Sequence, residues 1–210
     1  MKIGCVVGNG EIRDSARAEA RIRGFDFVIA ADGGADFLRV RGMKPHVIIG
    51  DMDSLNPDII QNASGIEVIR FPRDKDKSDV ELAVDLAFER GCGIVSLFGA
   101  LGGRLDHTLG NVSLAVRNPG RIKIVSECST LTAVEGPDKF VLEAGIGAVV
   151  SMIPFPRAEK VTTSGLKYPL ENEILFAGTR GISNVLLERR GWIRVGSGLL
   201  LVDVEDREPE

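Results

Sequence analysis

The apolar positions of this chain fall into two textures. Up to residue 125, short runs rich in Val and Ile stand at residues 3–7, 27–31, 47–49, 67–71, 94–98 and 122–125. They are continuous rather than alternating, the pattern of strands buried on both faces of a parallel sheet. Between them, residues 15–23, 35–41, 57–62, 78–89 and 107–117 carry helical spacing. The clearest is 78–89, where Ser78 and Glu81 suggest a capping box and Val80, Ala83, Val84 and Ala87 supply one apolar face. Strands alternating with helices in this way predict a doubly wound parallel sheet with helices on both faces.

Beyond residue 126 little looks helical. Short runs at 131–134, 140–142, 148–153, 160–163, 174–176, 182–187, 192–195 and 199–204 are separated by Gly, Pro and Asn, which predicts a small antiparallel β-sandwich. The expected class is therefore α/β plus all-β, with domains at 1–126 and 127–210, and residues 205–210 read as an acidic, frayed tail.

Composition narrows the function. At 210 residues and 44% apolar content the chain has ample material for packed cores. A formal charge of -4 lacks the basic field that a nucleic-acid or anionic-membrane surface needs, so neither partner is expected. Cys5, Cys92 and Cys128 are odd in number and widely spaced, which suggests core thiols rather than a disulfide framework or a zinc site. The first apolar run is too short for a signal peptide or a membrane span, and a cytoplasmic location is expected.

Four segments placed after strands carry the candidate chemistry. Asp51 and Asp53 flank Met52, and in an extended segment side chains at i and i+2 project to one side, where both could meet a hard cation. A turn in which Asp53 caps the chain toward Asn56 is an equal alternative. Asp74, Asp76 and Asp79 alternate with Arg73, Lys75 and Lys77 just before the best helix. A solvated loop is the default reading of such a run, with Ser78 as a helix cap. Asp79 is different, because the helix dipole at its position should keep it ionised and within reach of the same cation, while Lys75 or Lys77 could meet phosphate oxygens.

Gly102 and Gly103 precede Arg104, Asp106 and His107 between a strand and a helix, where backbone N–H groups and a guanidinium can hold an anion. Asp106 could equally be the N-cap of that helix, and His107 a structural side chain. Asp32 with Gly33 and Gly34 has the form of a strand-end acid and glycine loop that receives a nucleotide. The turn Gly8-Asn9-Gly10 lacks the third glycine of a dinucleotide fingerprint. Together the four segments point to one site for a polyphosphate and its metal.

These residues resemble the thiamine pyrophosphokinase family along nearly the whole chain. ADGGADFL at 31–38, GDMDSL at 50–55, KDKSDVELA at 75–83 and GGRLDH at 102–107 resemble its N-terminal signatures, and GLKYPL at 165–170 and GISN at 181–184 those of its C-terminal domain. The resemblance implies transfer of the pyrophosphoryl group of ATP to the thiamine hydroxyl, giving thiamine diphosphate and AMP. It implies a nucleotide domain, a thiamine-binding and dimerising sandwich, and a homodimer whose active sites lie at the interface. Carried over by position, Asp51, Asp53 and Asp79 would hold Mg2+, and Arg104 and Asp106 would organise the transferring group. Asp32, Gly33, Gly34, Lys75, Asp76, Ser78, Gly102, Gly103 and Arg104 would surround the ATP, and Ser183 and Asn184 would seat the thiamine. Ser78 stands where the family more often has Thr, and Trp192 where a smaller residue is usual; the latter is read as a half-buried strand aromatic. Two other functions remain: a pyrophosphokinase acting on a hydroxymethyl pterin, and a non-catalytic sensor of thiamine or nucleotide.

Overall fold

A computed structural model of the chain describes residues 1–13, 15–52 and 64–205. It divides into two compact units, residues 1–114 with 124–127 and residues 115–123 with 128–210.

The first unit is built on strands β1 (Lys2–Val7), β2 (Phe27–Ala31), β3 (Val47–Gly50), β4 (Glu67–Arg70), β5 (Cys92–Phe98) and β6 (Ile122–Val125), in the spatial order β4-β3-β2-β1-β5-β6. The four pairings from β4 through to β5 are parallel. Helices α1 (Ser15–Ile22) and α2 (Gly34–Val40) place Ala18, Ile22, Ala35 and Leu38 in one cluster with Cys5, Val7, Val28, Ala30 and Ile48 of the sheet. Strand side chains alternate between faces, so the other face is left to α3 (Asp79–Glu89), which buries Ala83, Val84 and Ala87. There Gly4 packs closely, since a Cβ on it would stand 3.0 Å from the Cys92 sulfur and 3.6 Å from the Ala87 methyl, and the Cys92 side chain would have to give way. Helix α4 (Leu105–Arg117) follows β5.

The expected helix at 57–62 and the expected tail at 206–210 lie outside the described residues. The capping of α3 is as expected on one side: Ser78 Oγ accepts the Glu81 N–H at 3.2 Å. Helix α4 begins two residues earlier than its apolar spacing suggests and takes Asp106 into its first turn.

The second unit contains β7 (Ser129–Glu135), β8 (Asp138–Glu143), β9 (Val149–Ser164), β10 (Glu173–Phe176), β11 (Asn184–Val185), β12 (Arg190–Val195) and β13 (Ser197–Glu205). Its strands pair antiparallel: β9 with β10, β11, β12 and β13, β12 with β8, and β13 with β7. β9 corrects the sequence reading, because the runs at 148–153 and 160–163 are one strand of 16 residues. Its first part pairs with β13 and its last residues with β12, so it belongs to both layers of the sandwich. Pro154 and Pro156 are tolerated because they fall between the stretches where β11 and β10 occupy the second side of β9. The run at 182–187 shrinks to Asn184–Val185, since Gly181 and Ser183 take left-handed φ values of 104° and 58° just before it. Alternate residues Val150, Met152, Ile193, Val195, Leu200 and Val202 form the buried core between the layers. None of the three cysteines forms a disulfide, and burial pushes the Cys5 thiol far above its ordinary range.

Candidate active site

Two glycine loops mark the place where the sheet order reverses. β1 and β5 are neighbours, yet the chain goes from β1 toward β2 and from β5 toward β6, which leaves a crevice beyond their carboxyl ends. Gly8 N–H donates to the Phe98 carbonyl at 2.8 Å, Gly10 N–H to Gly99 at 2.7 Å and Glu11 N–H to Leu101 at 3.2 Å. A Cβ on Gly10 would come 2.4 Å from the Gly99 oxygen, so this approach needs glycine. Over the loops opens a cleft of about 370 Å³, walled by Asn9, Asp32, Asp79, Gly102, Gly103 and Arg104, with His107 and Asn111 of α4 on one side.

Asp32 sits at the end of β2 with φ of 48°, a conformation costly for a residue with a side chain. Its backbone is fixed on both sides: its N–H donates to Ile49 O at 2.9 Å, and its carbonyl accepts from Ala35 N–H at 3.0 Å. Gly33 and Gly34 serve this loop sterically and do not wall the cleft. A Cβ on Gly34 would stand 1.9 Å from Val7 O, and one on Gly33 would strike the Asn9 side chain at 2.3 Å.

Asp79 opens α3, and its Oδ1 is buried with no hydrogen bond. Lys75 Nζ lies 3.3 Å from that oxygen, an ion pair without hydrogen-bond geometry. Desolvation raises the Asp79 carboxyl above its ordinary range; Lys75 offsets part of the rise, and the charges of Asp32 and Asp51 add to it. Asp79 does stand in the first turn of α3, as expected, and burial is the largest influence on its carboxyl. The same fields show that Asp32, Asp51 and Asp79 share one neighbourhood. Asp51 is half-buried after β3, and Asp53 lies outside the described residues. Among the described residues no three His, Cys, Asp or Glu side chains form a group able to hold an ion alone. A hard cation such as Mg2+ does not need one, since it takes one or two carboxylates and completes its shell with water and phosphate. The orphaned Asp79 oxygen beside Asp51 fits that donor set.

Arg104 and Asp106 form a two-pronged pair, Nε to Oδ1 at 3.1 Å and Nη2 to Oδ2 at 2.5 Å. The guanidinium holds the Asp106 carboxyl below the usual range. Asp106 thus orients Arg104 from outside the cleft lining, rather than capping the helix. Ser78 reaches the cleft, Asp76 is exposed, and Lys77 pairs with Asp85 at 2.6 Å along α3.

In the second unit, Asn184 is buried and committed to backbone. Its Oδ1 accepts from Tyr168 N–H at 3.0 Å and Val185 N–H at 2.9 Å, and its Nδ2 donates to Tyr168 O at 2.8 Å. It bolts GLKYPL to GISN. Ser183 is exposed, its N–H donating to Ser151 Oγ at 3.1 Å. Trp192 lies on the outward face of β12 with Lys139 Nζ 4.6 Å from its ring centre, a half-buried strand aromatic.

Asn9 and Asn111 were not anticipated. Asn111 is buried, and its Nδ2 donates to Ala100 O at 2.8 Å, holding the second glycine loop. The available signal was spacing: residues 104, 107 and 111 fall on one side of a helical repeat.

Comparison with known proteins decides the family. The model for "Thiamin pyrophosphokinase, catalytic domain" matches residues 19–126, and that for "Thiamin pyrophosphokinase, vitamin B1 binding domain" matches residues 139–200. The chain belongs to the thiamine pyrophosphokinase family. It is 32% identical over 184 residues to the thiamine pyrophosphokinase of Bacillus subtilis (strain 168), covering 83% of this chain and 85% of that one. The solved Bacillus subtilis thiamine pyrophosphokinase superposes with a TM-score of 0.87 at 27% identity, covering 99% and 100% of the two chains. The Geobacillus thermodenitrificans structure gives a TM-score of 0.85 at 31% identity, with 98% of each chain covered. A thiamine pyrophosphokinase family member thus carries its acidic cleft at the switch point of the first unit.

Proposed function

We propose that the protein transfers the pyrophosphoryl group of ATP to the hydroxyethyl oxygen of thiamine, giving thiamine diphosphate and AMP. The observation that carries this reading is the convergence of Asp32, Asp79, Gly102, Gly103 and Arg104 on one cleft in a chain of this family. Residues 1–126 act as the nucleotide and catalytic domain, and residues 127–210 as the thiamine-binding and dimerisation domain.

The triphosphate lies along the two glycine loops, whose backbone approaches an anion closely, with Arg104 gripping phosphate oxygens. Asp51, Asp53 and Asp79 hold Mg2+, which supplies charge stabilisation on the phosphates when bound. The thiamine oxygen forms a bond to the β-phosphorus as the bridge to the α-phosphate breaks, and the alcohol proton is lost. Asp106, paired with Arg104, is a poor base, and its work is to aim the guanidinium. Catalysis is then mostly positioning and field. Ser183 meets the thiamine while Asn184 fixes the turn that presents it.

Exposed Phe176, Tyr168, Leu187 and Phe155 on the second unit support a homodimer that completes the site at its interface. Among the described residues no helix is long and apolar enough to cross a membrane. The proposed location is cytoplasmic, with no nucleic-acid or membrane partner.

Incubation with Mg-ATP and thiamine should yield thiamine diphosphate and AMP in equal amounts, and D51N or D79N should slow the formation of both by about a hundredfold or more. Diphosphate formed only on a hydroxymethyl pterin would replace thiamine as the acceptor, and thiamine binding without AMP would make the protein a sensor.

A further inference from the structure

Lys75 is enclosed to a degree unusual for lysine, with its side chain 14% exposed beside an Asp79 side chain that is 23% exposed. Its ammonium contacts Asp79 Oδ1 at 3.3 Å and donates to the Pro72 carbonyl at 3.1 Å. The Asp79 oxygen it faces is buried and has no hydrogen bond, while Asp32 and Asp51 add negative field from the same neighbourhood. The ammonium therefore stands where the local charge calls for a cation, yet it does not close a hydrogen bond there. A flexible four-carbon stem lets such a point charge move when a stronger anion arrives.

We infer that Lys75 is a resident counter-cation that hinders Asp79 from taking up a divalent ion until a triphosphate draws the ammonium away. Metal and nucleotide then bind cooperatively, each raising the affinity for the other through this one side chain. The inference rests on the reading of Asp79 as a metal-binding carboxylate. It adds that an obligatory partner of the reaction also controls the order of filling. A cation already paired with a carboxylate opposes the approach of a second one, and removing it takes the ion-pair partner from Asp79.

The test is Mn2+ binding to the whole protein, followed by electron paramagnetic resonance of the free ion. It is measured without nucleotide and then with an ATP analogue carrying a methylene α,β-bridge. In the wild type, Mn2+ alone should bind weakly and the analogue should tighten it. Lys75→Gln keeps a donor for the Pro72 carbonyl but removes the charge. It should bind Mn2+ alone about tenfold more tightly and show a smaller gain from the analogue. Lys75→Arg, which keeps the charge, should resemble the wild type. Lys75→Met provides the same neutral substitution should Lys75→Gln fail to fold. A neutral variant that binds Mn2+ alone no tighter than the wild type overturns the inference. Asp79→Asn separates this failure from that of the underlying reading. Undiminished Mn2+ binding by Asp79→Asn with the analogue would remove Asp79 from the metal site. Its loss, with no tightening in Lys75→Gln, would remove only the role given to Lys75.

Discussion

Asp79 shows how one residue can be useful and costly together. Its carboxylate is desolvated and shares its surroundings with two like charges, with Lys75 as a partial remedy. Asp79→Asn should therefore raise the thermal midpoint by about 2 °C while lowering turnover by about a hundredfold or more; calorimetry and AMP release would check the pair of effects. A variant that lost both stability and activity would argue for a purely structural aspartate. Asn184 is the opposite case. Replacing it by Ala strips the acceptor from two backbone N–H groups and should cost about 2 kcal/mol by denaturant unfolding. Acidic residues such as Asp32, Asp51 and Asp79 were legible in the sequence because each follows a recognisable strand, and the strand order gathers them. Asn9 and Asn111 were not, since a neutral amide carries no mark until the fold brings a carbonyl such as Ala100 O within reach.

At the scale of elements, the best sequence signal became the element on which the site depends. α3 begins at Asp79 because Ser78 caps it, so Ser78→Ala should cost about 1 kcal/mol and loosen the first turn, and with it the carboxylate. Urea unfolding together with the KM for ATP would measure both; Ser78→Thr, which restores a hydroxyl, should recover them. The parallel strands were readable because most of the Val and Ile runs end at Gly or Asp, as at Gly8, Asp32, Gly50 and Gly99, where the chain must turn. β9 was not readable as one strand. Pro154 and Pro156 suggest an end, and the strand can pass through them because the β11 pairing stops at Val150 and the β10 pairing begins at Arg157. The start of α4 was misplaced because its first turn is defined by the Arg104–Asp106 pair rather than by apolar spacing.

For the whole molecule, acidity should help over one interval of pH. Asp79 and Asp203 both have carboxyls raised by burial, the latter also by Glu205, with Ser129 offsetting part. Between the raised and the ordinary values the folded chain holds more protons than the unfolded one, so stability increases as pH falls through that interval. The thermal midpoint should rise as pH is lowered through that interval, and Asp79→Asn with Asp203→Asn should flatten the rise. Glu11 and Asp106 are shifted downward but are fully exposed beside their arginines, and they add little. The long β9 has a different consequence for the second unit. A segment hydrogen-bonded in both layers cannot be released from one without disturbing the other, so the sandwich should open as a single foldon. Amide deuteration along Val150–Ile153 and Val161–Ser164 should accordingly proceed at one common, slow rate, although the two stretches belong to different ladders.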